Sequence, residues 1–142
     1  MLPKLVAFDL DGTIWSPDMY QLWGGGAPFT PKSTHPICQL ADKSNQSVRL
    51  LGDIQQILDE LKEQGVIISW VSCTDEPRWA NECLDLFESK NGSKLASFVD
   101  VSKGKQIFKA NKQRHFEKLQ KMYPSVSYNE MLFFDNEKIK HR

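Results

Sequence analysis

Short apolar runs alternate with segments of helical period along this chain, and that alternation leaves few folds open. Leu5-Val6-Ala7-Phe8 is an apolar run of the length a buried strand needs. Across residues 53–64, Ile54, Ile57, Leu58 and Leu61 recur at helical spacing, and Gly65 stops the helix. Residues 66–71 are rich in β-branched side chains and suit a second strand. The next turn leads into a helix with Thr74 or Asp75 as its cap and Pro77 in its first turn, burying Ala80, Cys83, Leu84 and Phe87. Residues 98–101 suit a third strand. Residues 112–122 suit a helix with Phe116, Leu119 and Met122 inward, and residues 130–134 a last strand that ends on Asp135. Strands and helices in this order predict an α/β fold: a three-layer, Rossmann-like parallel sheet with helices on both faces and right-handed crossovers.

The 142 residues suffice for one domain, spanning 1–142, with a core of its own. Lys plus Arg number 18 and Asp plus Glu number 18, a balance that argues against nucleic-acid or membrane partners. The basic stretch 103–121 reads as a solvated helix face. No apolar run approaches membrane-spanning length, and the first residues do not form a signal peptide. The cysteines, Cys38, Cys73 and Cys83, are odd in number and lack metal-ligand spacing. They point to a reducing, cytoplasmic setting. Residues 16–45 stand apart, with Gly24-Gly25-Gly26, four prolines and the aromatics Tyr20, Trp23 and Phe29. This stretch is either a flexible loop or a flap over a site.

The first strand runs directly into Asp9-Leu10-Asp11-Gly12-Thr13. In an open α/β sheet, ligands bind at the carboxyl ends of the strands. A carboxylate there can attack phosphorus, and a second one two residues on can serve the leaving oxygen as acid and the water as base. Asp9 is the candidate nucleophile and Asp11 the candidate acid/base. Division of those roles predicts a raised pKa for Asp11. Ser72 ends the second strand, and its hydroxyl suits a phosphate oxygen or a helix cap. Asp135-Asn136 ends the last strand and, with Asp9, offers an all-oxygen site for Mg2+. Lys112 is a candidate phosphate cation, with Lys103, Lys105 and Lys109 as competitors.

Together these residues resemble the haloacid dehalogenase superfamily, and within it the small, cap-lacking magnesium-dependent phosphatases. The likeness rests on Pro3-Lys4-Leu5, Phe8-Asp9-Leu10-Asp11 with Thr13 and Trp15, Val48-Arg49-Leu50, Ser72 with Thr74, Ala80-Asn81, Lys112 with His115-Phe116-Glu117, and Phe133-Phe134-Asp135 with Glu137. It implies Mg2+ and an aspartyl-phosphate on Asp9. Catalytic residues are then Asp9 and Asp11, and the substrate-binding set is Leu10, Asp11, Ser72, Cys73 and Lys112. The metal set is Asp9, Asp11 through its backbone carbonyl, Asp135 and Asn136. The match at His115-Phe116-Glu117 selects Lys112 among the lysines. Implied substrates are phosphotyrosine in proteins or small sugar-phosphate adducts on amines.

Three departures from the family pattern stand out. Asn136 replaces an aspartate, Cys73 replaces an arginine, and the chain stops at Arg142, where the family continues with a helix and an edge strand. The last departure is the expectation of a truncated chain lacking the C-terminal edge strand. The alternative is therefore a non-catalytic relative that acts as a binding or regulatory protein.

Overall fold

The computed structural model describes residues 2–135. Its strands are β1 Leu5–Phe8, β2 Trp15–Ser16, β3 Thr30–Pro31, β4 Gln39–Ala41, β5 Ser47–Leu50, β6 Ile67–Ser72, β7 Lys105–Ile107 and β8 Met131–Phe134. Its α-helices are α1 Ile54–Glu63, α2 Pro77–Leu86 and α3 Lys112–Met122. Four strands form a parallel sheet in the order β7-β6-β1-β8.

Side chains alternate across that sheet as a strand period of two requires. Val6, Phe8, Ile68 and Trp70 join a large core with Leu58 of α1 and Ala80, Cys83 and Leu84 of α2. Leu5, Ala7 and Val71 face the other way, onto Leu119 of α3 and Val126. Helices therefore cover both faces, as the alternation predicts. The chain passes outward from β1 to β6 and β7, then returns to place β8 on the other side of β1. The order reverses between β1 and β8, the switch point where doubly wound sheets bind ligands.

Three expectations are corrected. Residues 98–101 are not a strand: Leu95–Phe98 is a 3₁₀ turn, and the third strand is β7, six residues later. As an edge strand β7 needs little apolar character, and its Lys105-Gln106-Ile107 run carries only a weak strand signal. Met122 does not point inward; it is 42% exposed. The buried stripe of α3 is His115 with Leu119, one turn apart, and Phe116 flanks it. The cap of α2 is Glu76 rather than Thr74 or Asp75, and the Thr74 hydroxyl accepts from the Glu76 amide at 3.1 Å within the turn.

Residues 16–45 are largely folded. With the strands on either side they build an antiparallel sheet in the order β2-β5-β4-β3. Phe29, Ile37, Leu40 and Val48 anchor this sheet in the same core as Trp70 and Leu58. The Asp42 carboxylate pins its main loop by accepting from the amides of Gly26 at 2.7 Å, Ser44 at 3.0 Å and Gln46 at 2.7 Å. Among the described residues no helix is long and apolar enough to cross a membrane.

Candidate active site

Asp9 is the first residue past β1. Its amide donates to Phe134 O of β8 at 2.9 Å, which holds it on the seam between the two strands. Phe8 is paired with Phe134, so Asp9 and Asp135 leave adjacent parallel strands side by side. Asp9 Oδ1 accepts from the Leu10 amide at 2.9 Å and from Lys112 Nζ at 3.2 Å. Lys112 also donates to Val71 O at 3.0 Å, so its ammonium bridges the ends of β1 and β6. Burial drives the Asp9 carboxyl up to about 6; Lys112 and the Leu10 amide pull against it, and the charge of Asp135 adds to the rise.

Beyond Leu10 the chain closes a single helical turn, with the Ile14 amide donating to Leu10 O at 2.8 Å. Gly12 takes φ +76, a conformation costly for any residue with a Cβ, and its amide reaches Trp15 O at 2.8 Å. This turn sends Asp11 back toward Asp9. Asp11 Oδ1 accepts from Trp15 Nε1 at 2.8 Å and from the Met19 amide at 3.2 Å. Burial raises the Asp11 carboxyl above its usual range despite the Trp15 and Met19 donors. That is the direction an acid/base requires.

An open cavity of about 450 Å³ is lined by Asp9, Asp11, Ser72, Cys73 and Lys112, so the structure gathers five sequence-predicted residues around one space. Ser72 ends β6 and is 1% exposed; its Oγ accepts from the Thr74 amide at 3.2 Å. Leu10 is fully buried and does not line the cavity; its amide donates to Asp9 Oδ1. Cys73 Sγ donates to Ala110 O at 2.7 Å and lies 3.6 Å from His115 Nε2. His115 stacks on Phe108 with centroids 4.2 Å apart, and burial together with the Lys112 charge pushes its pKa down to about 4. Asn136 lies outside the described residues.

Of the competing lysines, Lys109 is ion-paired with Asp75 at the rim, and Lys103 lies over the Tyr123 ring. Among the described residues only Lys112 forms an ion pair with Asp9. Sequence reasoning missed Asp18, Tyr20, Asp75 and Asn111 as cavity residues. Two of these carry legible helix-start signals. Asn111 caps α3 by accepting from the Arg114 amide at 2.8 Å, and Asp18 with Gln21 forms a capping box. The N-terminus of α3 thus opens at the cavity, where its free amides favour an anion.

The cavity is rich in carboxylates, yet among the described residues no three His, Cys, Asp or Glu side chains converge into a metal cage. That donor set suits Mg2+, a hard cation that takes one or two carboxylates and keeps several waters. It does not suit a cation that needs a closed nitrogen-sulfur shell. Among the described residues both hydrogen bonds of the Asp9 side chain fall on Oδ1.

A carboxylate pair at the switch point of a doubly wound sheet, with a lysine on one carboxylate and a serine at the next strand end, defines a phosphate-ester hydrolase of the haloacid dehalogenase type. Comparison with known proteins narrows the class. The acid phosphatase family matches residues 1–142, and the chain belongs to it. A HAD-like hydrolase superfamily protein of Schizosaccharomyces pombe is 32% identical over 138 residues, covering 95% of this chain and 76% of that protein. Human magnesium-dependent phosphatase 1 is 31% identical over 137 residues, covering 96% of this chain and 69% of the relative.

Proposed function

We propose that this protein is a Mg2+-dependent phosphatase that hydrolyses phosphate monoesters through an aspartyl-phosphate on Asp9. The observation that carries the reading is that Asp9 and Asp135 each follow the paired ends of β1 and β8, Phe8 and Phe134, with Lys112 Nζ 3.2 Å from Asp9 Oδ1. In the first step an Asp9 oxygen bonds to phosphorus as the bond to the leaving oxygen breaks, and Asp11 gives that oxygen its proton. In the second step water attacks phosphorus, Asp11 takes the water's proton, and Asp9 is released as a carboxylate. Lys112 offsets the charge on the transferring phosphoryl group, and Ser72 Oγ with the α3 amides receives its outer oxygens. Mg2+, held by Asp9, the Asp11 carbonyl and the Asp135-Asn136 pair, would align the phosphate and offset repulsion between it and the carboxylates.

The open cavity, with Tyr20 at 56% exposure on its rim, supports a phosphorylated protein side chain as substrate, and a phosphorylated small molecule is the other class. Cytoplasmic residence is supported by three free cysteines. The test is hydrolysis of an aryl phosphate with Mg2+, with EDTA, and by Asp9→Asn. Turnover only with metal and with Asp9 supports the reading; a folded protein that gives none in any condition makes it a non-catalytic relative.

A further inference from the structure

Beside the cavity lies a second concavity, about 400 Å³, along the exposed face of α3. Asn111 lines both, so the two spaces are neighbours at the start of the helix. Arg114, Lys118 and Lys121 stand on one stripe of α3 at spacings of four and three, opposite the buried His115 and Leu119. Glu117 is the one acidic residue among this concavity's lining groups, and among the described residues none of the three cations is ion-paired. Lys118 Nζ rests 4.7 Å from the centre of the Phe108 ring, which holds that charge at the concavity's edge. Lys109, by contrast, is neutralised by Asp75 at the cavity rim.

We propose that this stripe docks acidic residues that flank the phosphorylated side chain of a protein substrate. The inference rests on the phosphatase reading for the phosphate end and on charge complementarity for the rest. A monoester in the cavity fixes one end of the ligand beside Asn111. From Arg114 to Lys121 the helix rises roughly 10 Å, the reach of about three residues of extended peptide. Three open cations over that reach match two or three acidic side chains near the phosphoresidue. A nucleic-acid backbone fits less well, because it carries diesters rather than a terminal monoester.

The experiment uses the full chain and a fluorescent peptide carrying a non-hydrolysable phosphotyrosine phosphonate, so that binding is read without turnover. One peptide has Glu or Asp at three flanking positions, and its control has Gln or Asn there. The acidic peptide should bind about tenfold more tightly at low salt, and the gap should shrink as salt rises. The triple variant R114E/K118E/K121E should lose that preference while hydrolysing an aryl phosphate at the wild-type rate. The neutral pair K118Q/K121Q, a milder change to the helix, should lose part of it. Equal binding of both peptides, or a preference that survives these variants, overturns the proposal. So does a single-stranded oligonucleotide of equal charge that binds through the same residues at least as tightly. A wild-type protein inert toward the aryl phosphate yet retaining the acidic preference would sink the phosphatase reading and leave this one standing.

Discussion

Glu88, packed against the antiparallel sheet, and Asp9, at the mouth of the cavity, are both buried carboxylates, yet they titrate at opposite ends of the carboxylate range. Burial pushes Glu88 upward, but the Ile37 amide at 2.8 Å, His35 Nδ1 at 2.6 Å and Lys94 Nζ at 3.2 Å outweigh it and hold the group at about 2. At Asp9 the balance goes the other way: two donors meet one oxygen, burial wins, and the carboxyl sits at about 6. Asp42 resembles Glu88 in its hydrogen bonding alone, with three backbone amides converging on it. Asp11 belongs with Asp9, since its pKa is raised. A carboxylate that holds the fold is saturated with donors. At Asp9 and Asp11 burial outweighs the donors, and that raised pKa is the property the proposed chemistry would use.

The sharpest way to break this division is Asp9→Asn. Turnover of an aryl phosphate should fall by about 10⁴ or more, because the proposed nucleophile is removed. The melting temperature should stay level or rise, because an amide is easier to bury than a carboxylate. A large drop on thermal melting would move Asp9 into the structural set. Asp11→Asn should cost about 10² to 10⁴ in kcat/KM, which reports the first phosphoryl transfer, on an alkyl phosphate. The loss should be smaller on nitrophenyl phosphate, whose leaving oxygen needs no proton. A uniform loss across leaving groups would remove Asp11 from the acid role.

Glu88→Ala should act on the other side, lowering folding stability by about 2–4 kcal/mol, because the buried Ile37 amide loses its acceptor and His35 and Lys94 lose their partner. The rate per folded molecule should be unchanged, read by urea titration alongside the assay. The pH dependence follows from the direction of the shift. A carboxyl depressed from its ordinary 4.5 to about 2 adds stability that is fully present above 4.5 and is lost as pH falls through about 2. The stability gap between wild type and Glu88→Gln should therefore be widest above pH 4.5 and close toward pH 2. A smaller effect is expected at Gly26, which lies at φ +94 and where an added Cβ would meet the Trp79 ring at 2.2 Å. Gly26→Ala should cost about 1–3 kcal/mol and leave the chemistry of the folded fraction intact.

Only the Asp9 and Asp11 side of this division was legible in the chain itself; Glu88 and Asp42 carried no signal there. The apolar run 5–8 followed by two aspartates marks a strand end with chemistry on it, and helical spacing at Ile54 and Leu58 marks α1. The weak elements were not legible. β7 lies at a sheet edge and is nearly polar, and the strands of residues 16–45 are only two or three residues long. The stabilisation of such strands comes from distant partners, so their own composition carries little signal. The same holds for the cap of α2 and for Met122 at the end of α3, where one residue's shift changes what is buried.

The sequence by itself determined what neighbours decide: the periods of the long elements, the carboxylate pair at 9 and 11, the cap at Asn111. These depend on chain geometry over a few residues. Spacing left four lysines open and only the motif match at His115-Phe116-Glu117 selected Lys112; the tertiary structure brought it onto Asp9, a contact between residues 103 apart. It also aimed Trp15 Nε1 at Asp11 and turned the Cys73 thiol onto Ala110 O. The last strand reached the seam beside Asp9 through the register of β1 and β8. The physical reason is range. Backbone preference acts locally, whereas desolvation and charge pairing act on whatever the packed sheet brings within a few ångströms, however far apart in the chain.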